Sequence, residues 1–158
     1  KDYPDVTLSM IGPDKGDGSF QAVKRLSEEL QLTGKLSIIP GVDHDQVPSL
    51  LNQADIFINT TNYDTAPRSL IEAMACGLPI LAYDTGALKE LVGKKAGAIV
   101  PYGSNHWQLE TPDVKSLAAA ALPILKNNRP FRESARKRAE EAFGLDQMTK
   151  AYLDVLLG

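Results

Sequence analysis

The sequence predicts an α/β fold: a mostly parallel sheet with helices on both faces, followed by helices at the C-terminal end. Three observations predict it. Five short apolar runs, each closed by Gly, Pro, Asn or Asp, alternate with longer segments of helical periodicity. The runs are apolar almost continuously rather than at every second residue, the pattern of strands covered on both faces. After the fifth run the alternation stops and three helical segments follow one another. Strand–helix alternation of this kind gives parallel strands joined by right-handed crossovers.

The first strand is predicted over Val6 to Ile11, followed by a glycine-rich turn and a helix over Phe20 to Leu32. That helix carries Val23, Leu26 and Leu30 on one stripe with charges opposite. The second strand spans Leu36 to Ile39, and a short helix over Gln46 to Asn52 presents Val47, Leu50 and Leu51. The third strand, Ile56 to Ile58, leads through a polar loop to a helix over Ser69 to Cys76. Pro67 is a natural first helical residue, Gly77 suits the helix end, and Pro79 opens the next strand. The fourth strand is Ile80 to Tyr83, with a helix over Ala87 to Val92; the fifth is Ala98 to Val100. Pro101 to Pro112 reads as an irregular surface loop. The closing helices are Asp113 to Lys126, Arg129 to Phe143 and Leu145 to Leu157. Asp113 and Asp146 suit N-caps, Gly144 suits a C′ position, and Pro123 is predicted to kink or shorten its helix. The mixed-sign run Arg132 to Glu141 reads as a solvated helix face.

Composition bounds the function. With 158 residues, 43% of them apolar and 23% charged, the chain fits one globular domain, 1–158. A net charge of −3 argues against a general nucleic-acid or membrane surface. One cysteine excludes an internal disulfide framework, and no apolar run approaches the ~18 residues of a membrane span. The chain opens on Lys1, not Met, with a strand almost at once, and is therefore expected to be a piece of something larger.

Ligands of open parallel sheets bind beyond the carboxyl ends of the strands. The loop from Gly12 to Ser19 fails both phosphate-binding spacings: Asp17 stands where a P-loop needs its second Gly, and Gln21 where a dinucleotide fingerprint needs its third. It is read as a turn capped by Ser19 or Asp17, whose acids repel phosphate. The loop from Thr60 to Arg68 is more informative. Asp64 and Glu72 lie eight residues apart with Arg68 between them, at the start of a helix. Free N–H groups of Arg68, Ser69 and Leu70 there suit a diphosphate, and the carboxylates suit sugar hydroxyls. Ser69 to Glu72 equally fits a capping box.

The string from Asp64 to Pro79 contains Glu72-Ala73-Met74-Ala75-Cys76-Gly77-Leu78-Pro79, with seven residues between Glu72 and the acid Asp64. It resembles the signature of retaining glycosyltransferases of family 4, group 1. Supporting matches are Tyr3-Pro4-Asp5 through Gly12, Ile39 to Val42, Ala54 to Ile58, Gly86 through Glu90, and Ala96 to Val100. The resemblance implies a Rossmann-like domain, one half of a GT-B fold, holding a nucleoside-diphosphate sugar. It places Glu72 on ribose hydroxyls, Asp64 near the transferred sugar, the amides of Arg68, Ser69 and Leu70 on diphosphate and sugar, Gly41 and Val42 on the nucleobase, and Gly12 among the donor contacts. It implies no metal or other cofactor, an acceptor saccharide, lipid or small molecule bound through an N-terminal half, no nucleic-acid partner, and a cytoplasmic location with any membrane contact made through that half.

Three departures stand out. Asp64 replaces the usual Glu, Arg68 stands where small or amide residues are common, and the family's phosphate-binding Arg and Lys would lie before Tyr3, with the first strand and helix. In a 3-2-1-4-5-6 sheet that strand is central, so five strands with a gap or rearranged neighbour are expected. The alternatives are a catalytically inactive nucleotide-binding or interaction domain, and half of a GT-B-type sugar epimerase. Elsewhere, Cys76 reads as a packing residue, His44 and His106 lack the spacing of a zinc site, and Tyr102 and Trp107 read as packing residues with the capacity to stack on a base or sugar.

Overall fold

A computed structural model of the chain describes residues 5–158. Tyr3 and Pro4 of the opening motif lie outside the described residues. Two compact units divide the chain, one running to Val47 and the other from Pro48.

The first unit pairs β1 (Leu8–Gly12) with β2 (Leu36–Pro40) in parallel, Leu8 opposite Leu36 and Gly12 opposite Pro40. Between them runs α1 (Ser19–Glu29). It ends earlier than its apolar stripe suggests, because Gln31 turns into the left-handed region at φ 57. The expectation that every strand is covered on both faces fails here: Leu8, Met10 and Ile11 of β1 and Leu26 of α1 are exposed. A two-stranded sheet offers too little surface to bury an apolar strand.

The second unit begins in α2 (Val47–Leu51) and holds a second parallel sheet of order β3 (Phe57–Asn59), β4 (Ile80–Tyr83), β5 (Gly97–Val100). The five strands expected are all present, and their pairing is broken between β1–β2 and β3–β4–β5 among the described residues, which is the gap expected. In the central strand β4 all four residues are buried, so both its faces are covered. The covering helices are α3 (Arg68–Ala75), α4 (Leu88–Val92) and α5 (Val114–Lys126). Leu70, Met74, Leu78, Ile80, Leu88 and Ile124 are fully enclosed and form its core.

Asp113 caps α5, its carboxylate accepting the Ser116 N–H at 3.0 Å, and hydrogen bonding from Ser116 holds that carboxyl below the usual range. Pro123 does not shorten α5, which continues three residues further to Lys126. The carbonyl it strands, that of Ala119, lies at an exposed position where water can satisfy it. Asp146 is not a cap: α7 (Leu145–Leu157) starts from Gly144, which is extended at φ −65, ψ 139 rather than left-handed.

The charged run on α6 (Asn128–Ala142) is only partly the solvated face expected. Glu133, Glu140 and Glu141 do make exposed i,i+4 pairs with Arg129, Arg136 and Lys137. The arginines also do structural work inward. Arg132 donates to the Ala54 carbonyl (3.0 Å), Arg136 to that of Ala75, and Arg138 to those of Leu91 (3.0 Å) and Glu90 (2.9 Å). Ala75 ends α3, and Glu90 and Leu91 lie in the last turn of α4, so these bonds satisfy carbonyls that a helix end leaves orphaned. Small buried Ala135 and Ala139 let α6 lie close against α3.

The β4–β5 ladder depends on one glycine. A Cβ at Gly97 would sit 1.9 Å from the Ile80 carbonyl oxygen and 2.6 Å from the Ile80 nitrogen. Gly97→Ala is expected to lower stability by about 2–3 kcal/mol or more, read as a reduced urea midpoint. An unchanged midpoint would show that the ladder tolerates the wider spacing.

Candidate functional site

The loop between β3 and α3 carries most of the chemistry seen in the sequence, and it is held from three directions. At its start, the buried Asn59 side chain accepts the N–H (3.0 Å) and hydroxyl (2.6 Å) of Thr61. From the turn after β4, the buried Thr85 hydroxyl donates to the Thr61 carbonyl at 3.0 Å, and the Ala87 N–H donates to the Asp64 carbonyl at 3.3 Å. This approach needs glycine at position 86. Its φ is +54, and a Cβ there would lie 1.9 Å from the Asp64 carbonyl oxygen.

From the loop after β5, the Tyr102 hydroxyl reaches Asn62 Oδ1 (3.0 Å) and the Glu110 carbonyl (2.7 Å), its one proton shared between two acceptors. Tyr102 is buried edge-on to Tyr83, with centroids 5.2 Å apart, in a cluster with Leu81 and Leu117. It is therefore a packing residue and is not open to a base or sugar. Burial, and after it the nearby Asp113 and Tyr102, pushes the Tyr83 phenol up.

Asp64 is half-buried, and its Oδ1 accepts the Ala66 N–H at 3.2 Å. Pro67 is the N-cap of α3, and Arg68 is its first residue. The capping box does not form: no side chain caps this helix, and Ser69 stands exposed at its second position. Glu72 is half-buried one turn in, and its carboxylate has no partner among the described residues. The three free amides read from the sequence reduce to two. The first turn closes tightly, the Leu70 N–H donating to the Pro67 carbonyl at 3.1 Å, while the N–H groups of Arg68 and Ser69 meet no acceptor among the described residues. The Leu70 side chain is fully buried and anchors the helix. The Arg68 guanidinium is exposed and has no carboxylate partner among the described residues.

The remaining residues lie in the other unit. Gly41 follows β2 at φ +78 and donates its N–H to the carbonyls of Ile39 (2.9 Å) and Gly12 (3.1 Å), which joins the ends of β1 and β2. Val42 beside it is half-buried, with backbone N–H and C=O unpaired among the described residues. The glycine-rich loop is a turn, as expected, but the N-cap of α1 is Gly18 and not Ser19 or Asp17. Asp14 accepts the Gly16 N–H (2.9 Å), and Asp17 accepts the Ser19 N–H (3.0 Å). Hydrogen bonds from the Ser19 hydroxyl and then its N–H hold the Asp17 carboxyl below the usual range. Cys76 is a half-buried free thiol at the end of α3, and no cluster of three metal-ligating side chains occurs among the described residues.

Chemically, the start of α3 offers two free amides at the positive end of a helix, a cation, and two carboxylates. The amides and Arg68 suit a phosphate, and the carboxylates suit hydroxyl donors. A sequence model of the family described as glycosyl transferases group 1 matches residues 1–142. The chain belongs to this family. It is 25% identical over 141 residues to N-acetyl-alpha-D-glucosaminyl L-malate synthase of Bacillus anthracis, a match covering 87% of this chain and 34% of that protein. To the MMP alpha-(1->4)-mannosyltransferase of Mycolicibacterium hassiacum it is 28% identical over 142 residues, 88% of this chain and 32% of that one. The chain spans about a third of the length of these curated relatives. Among solved structures, Anabaena HepE in complex with UDP matches with a TM-score of 0.80 at 19% identity, over 97% of this chain and 41% of that one. The fold of this group 1 chain is a Rossmann-like half of a GT-B fold.

The sequence singled out Asp64, Arg68 and Glu72 but not the residues that hold their loop. Asn59, Asn62 and Thr85 have no mutual spacing that marks them. Gly86 was visible only as the start of a family turn. Gly86→Ala is expected to push the acid loop off the β4–α4 turn and cost about 2–3 kcal/mol, or roughly 5–10 °C in Tm. Thr85→Val, which removes one hydrogen bond, should cost about 1 kcal/mol. Equal small losses from both would show that the close approach is not the main constraint.

Proposed function

We propose that this chain is the donor-binding, C-terminal part of a longer retaining glycosyltransferase, which moves a glycosyl group from a nucleoside-diphosphate sugar to an acceptor hydroxyl. The observation that carries the reading is the start of α3, where the free Arg68 and Ser69 amides, the unpaired Arg68 side chain, Asp64 and Glu72 occupy one short segment. The family and the ligands of structural relatives support it: Anabaena HepE was solved in complex with UDP and in complex with UDP-glucose.

In this reading the Arg68 and Ser69 amides take the diphosphate, and Arg68 adds a direct phosphate contact. As the sugar leaves, negative charge develops on the diphosphate, and a fixed helix N-terminus stabilises it without reorganising. Glu72 accepts the ribose hydroxyls. Asp64 faces the transferred sugar and accepts from its hydroxyls. Gly41 and Val42 meet the nucleobase through their backbone, beside Gly12. Leu70 contributes as the buried anchor of α3, since its amide is already engaged. The chemistry needs no metal, because amides and cations supply the positive charge. The acceptor, a saccharide, lipid or small molecule, is bound by the N-terminal half, and the protein works in the cytoplasm. No described helix is long and apolar enough to cross a membrane.

Calorimetric titration of the chain with UDP-, GDP- and ADP-sugars tests this. One base series is expected to bind with a Kd of roughly 0.1–1 mM. Arg68→Ala and Glu72→Gln should each weaken it about tenfold, ~1.4 kcal/mol. No glycosyl transfer is expected from the chain alone. Silence across the panel would favour an interaction domain, which the replacement of Glu by Asp at position 64 permits. Epimerisation of the sugar without an acceptor would favour the epimerase reading.

A further inference from the structure

Beside the acid loop lies an aromatic surface that the donor reading does not use. Tyr63, the residue before Asp64, is 55% exposed, and Trp107 is 67% exposed. Their rings lie 4.7 Å apart between centroids, inclined at 40°. His106 lies 5.0 Å from Trp107 and 5.7 Å from the buried Tyr102. A continuous row of rings therefore leads from the core out to the rim of the acid loop.

The loop that presents Trp107 is built by polar bonds and not by burial of the indole. Asn105 Oδ1 accepts the N–H groups of Trp107 (3.0 Å) and Gln108 (3.3 Å), which forms a single 3₁₀ turn. The Asn105 N–H donates to Glu110 Oε2 (2.9 Å), and the Ser104 hydroxyl to the Thr111 carbonyl (2.8 Å). Leu109 closes the turn at φ 55, a left-handed conformation that is strained for a side-chain-bearing residue. The loop thus accepts strain and orders its backbone, yet leaves its largest apolar side chain mostly in water. Core packing does not account for that arrangement.

We propose that Tyr63 and Trp107 form a stacking subsite for a pyranose ring; the proposal rests on the glycosyl-transfer reading above. A pyranose has an apolar face of C–H groups and a rim of hydroxyls. Aromatic faces carry the negative end of a quadrupole and attract those C–H groups, while hiding apolar area from water. Asp64, next in the chain to Tyr63, is an acceptor for the hydroxyl rim, and the His106 imidazole adds a second polar group at the platform's edge. A nucleobase also stacks on aromatic rings. It brings no rim of hydroxyl donors for the neighbouring carboxylate, so the sugar is the better fit.

Trp107 is the only tryptophan of the chain, so its emission reports on this surface alone. The 158-residue chain would be titrated with methyl α-glucopyranoside, methyl α-mannopyranoside, N-acetylglucosamine, the UDP-sugars of the calorimetric panel, and UDP. The expected result is a saturable change of emission with at least one sugar-bearing probe and none with UDP. In Tyr63→Ala, checked for unchanged circular dichroism, the response should weaken roughly fivefold to tenfold, the size of one aromatic face. A response to free pyranosides assigns the subsite to an acceptor sugar; a response only to sugar nucleotides assigns it to the donor sugar. Unchanged emission across the panel overturns the subsite. So does a response that survives Tyr63→Ala undiminished, or one that UDP reproduces. Calorimetric nucleotide-sugar binding with silent emission would leave the donor reading intact and remove only the platform. A pyranoside response without nucleotide binding would do the reverse.

Discussion

The second unit is organised around the close approach of two backbones, Gly86 against the carbonyl of Asp64. No other residue type fits there, because a Cβ would overlap the carbonyl oxygen at 1.9 Å. That contact brings the turn after β4 onto the loop after β3 and lets Ala87 and Thr85 bond to it. An eight-residue link between strand and helix would otherwise be a mobile segment. Here it delivers Asp64 and the first amides of α3 at fixed positions. Preorganisation is what gives amides and carboxylates their worth in a binding site, since nothing then has to be ordered when the ligand arrives.

In the same unit a single element satisfies the C-terminal ends of two helices. α6 runs past the C-terminal ends of α3 and α4 and sends Arg136 and Arg138 into their last carbonyls. The N-terminal end of α3 receives no such treatment, for its cap is Pro67 and no side chain closes it. One end of this short helix is satisfied by protein, and the other is left to whatever binds. That asymmetry is consistent with the chemistry proposed for Arg68 and Ser69, and it is independent of any family resemblance.

Much of this was legible in the sequence. The strand Ile80 to Tyr83 was read with its observed ends, because a four-residue apolar run between Pro79 and Asp84 has no other place than the centre of a covered sheet. Pro67 and Gly77 bracketed α3 to within a residue or two, since each acts through its own backbone. What escaped was either tertiary or a choice between equal local options. Ser69 and Glu72 fit a capping box by spacing, and only the start of the helix at Arg68 decides against it. The inward bonds of Arg132, Arg136 and Arg138 were invisible because their partners are carbonyls up to 78 residues away, and any residue has a carbonyl. The exposure of β1 is not legible because an apolar run states what a strand would bury, not what is there to bury it.

The start of α3, proposed above to take a diphosphate, carries two amides without an acceptor among the described residues. Amide chemical shifts test that proposal most directly, because each N–H reports for itself. On addition of a nucleoside diphosphate, the Arg68 and Ser69 resonances should move furthest within this helix. Leu70, whose N–H is held by Pro67, should move much less. Shifts that bypass Arg68 and Ser69, or that fall equally on Leu70 and the rest of α3, would contradict the account.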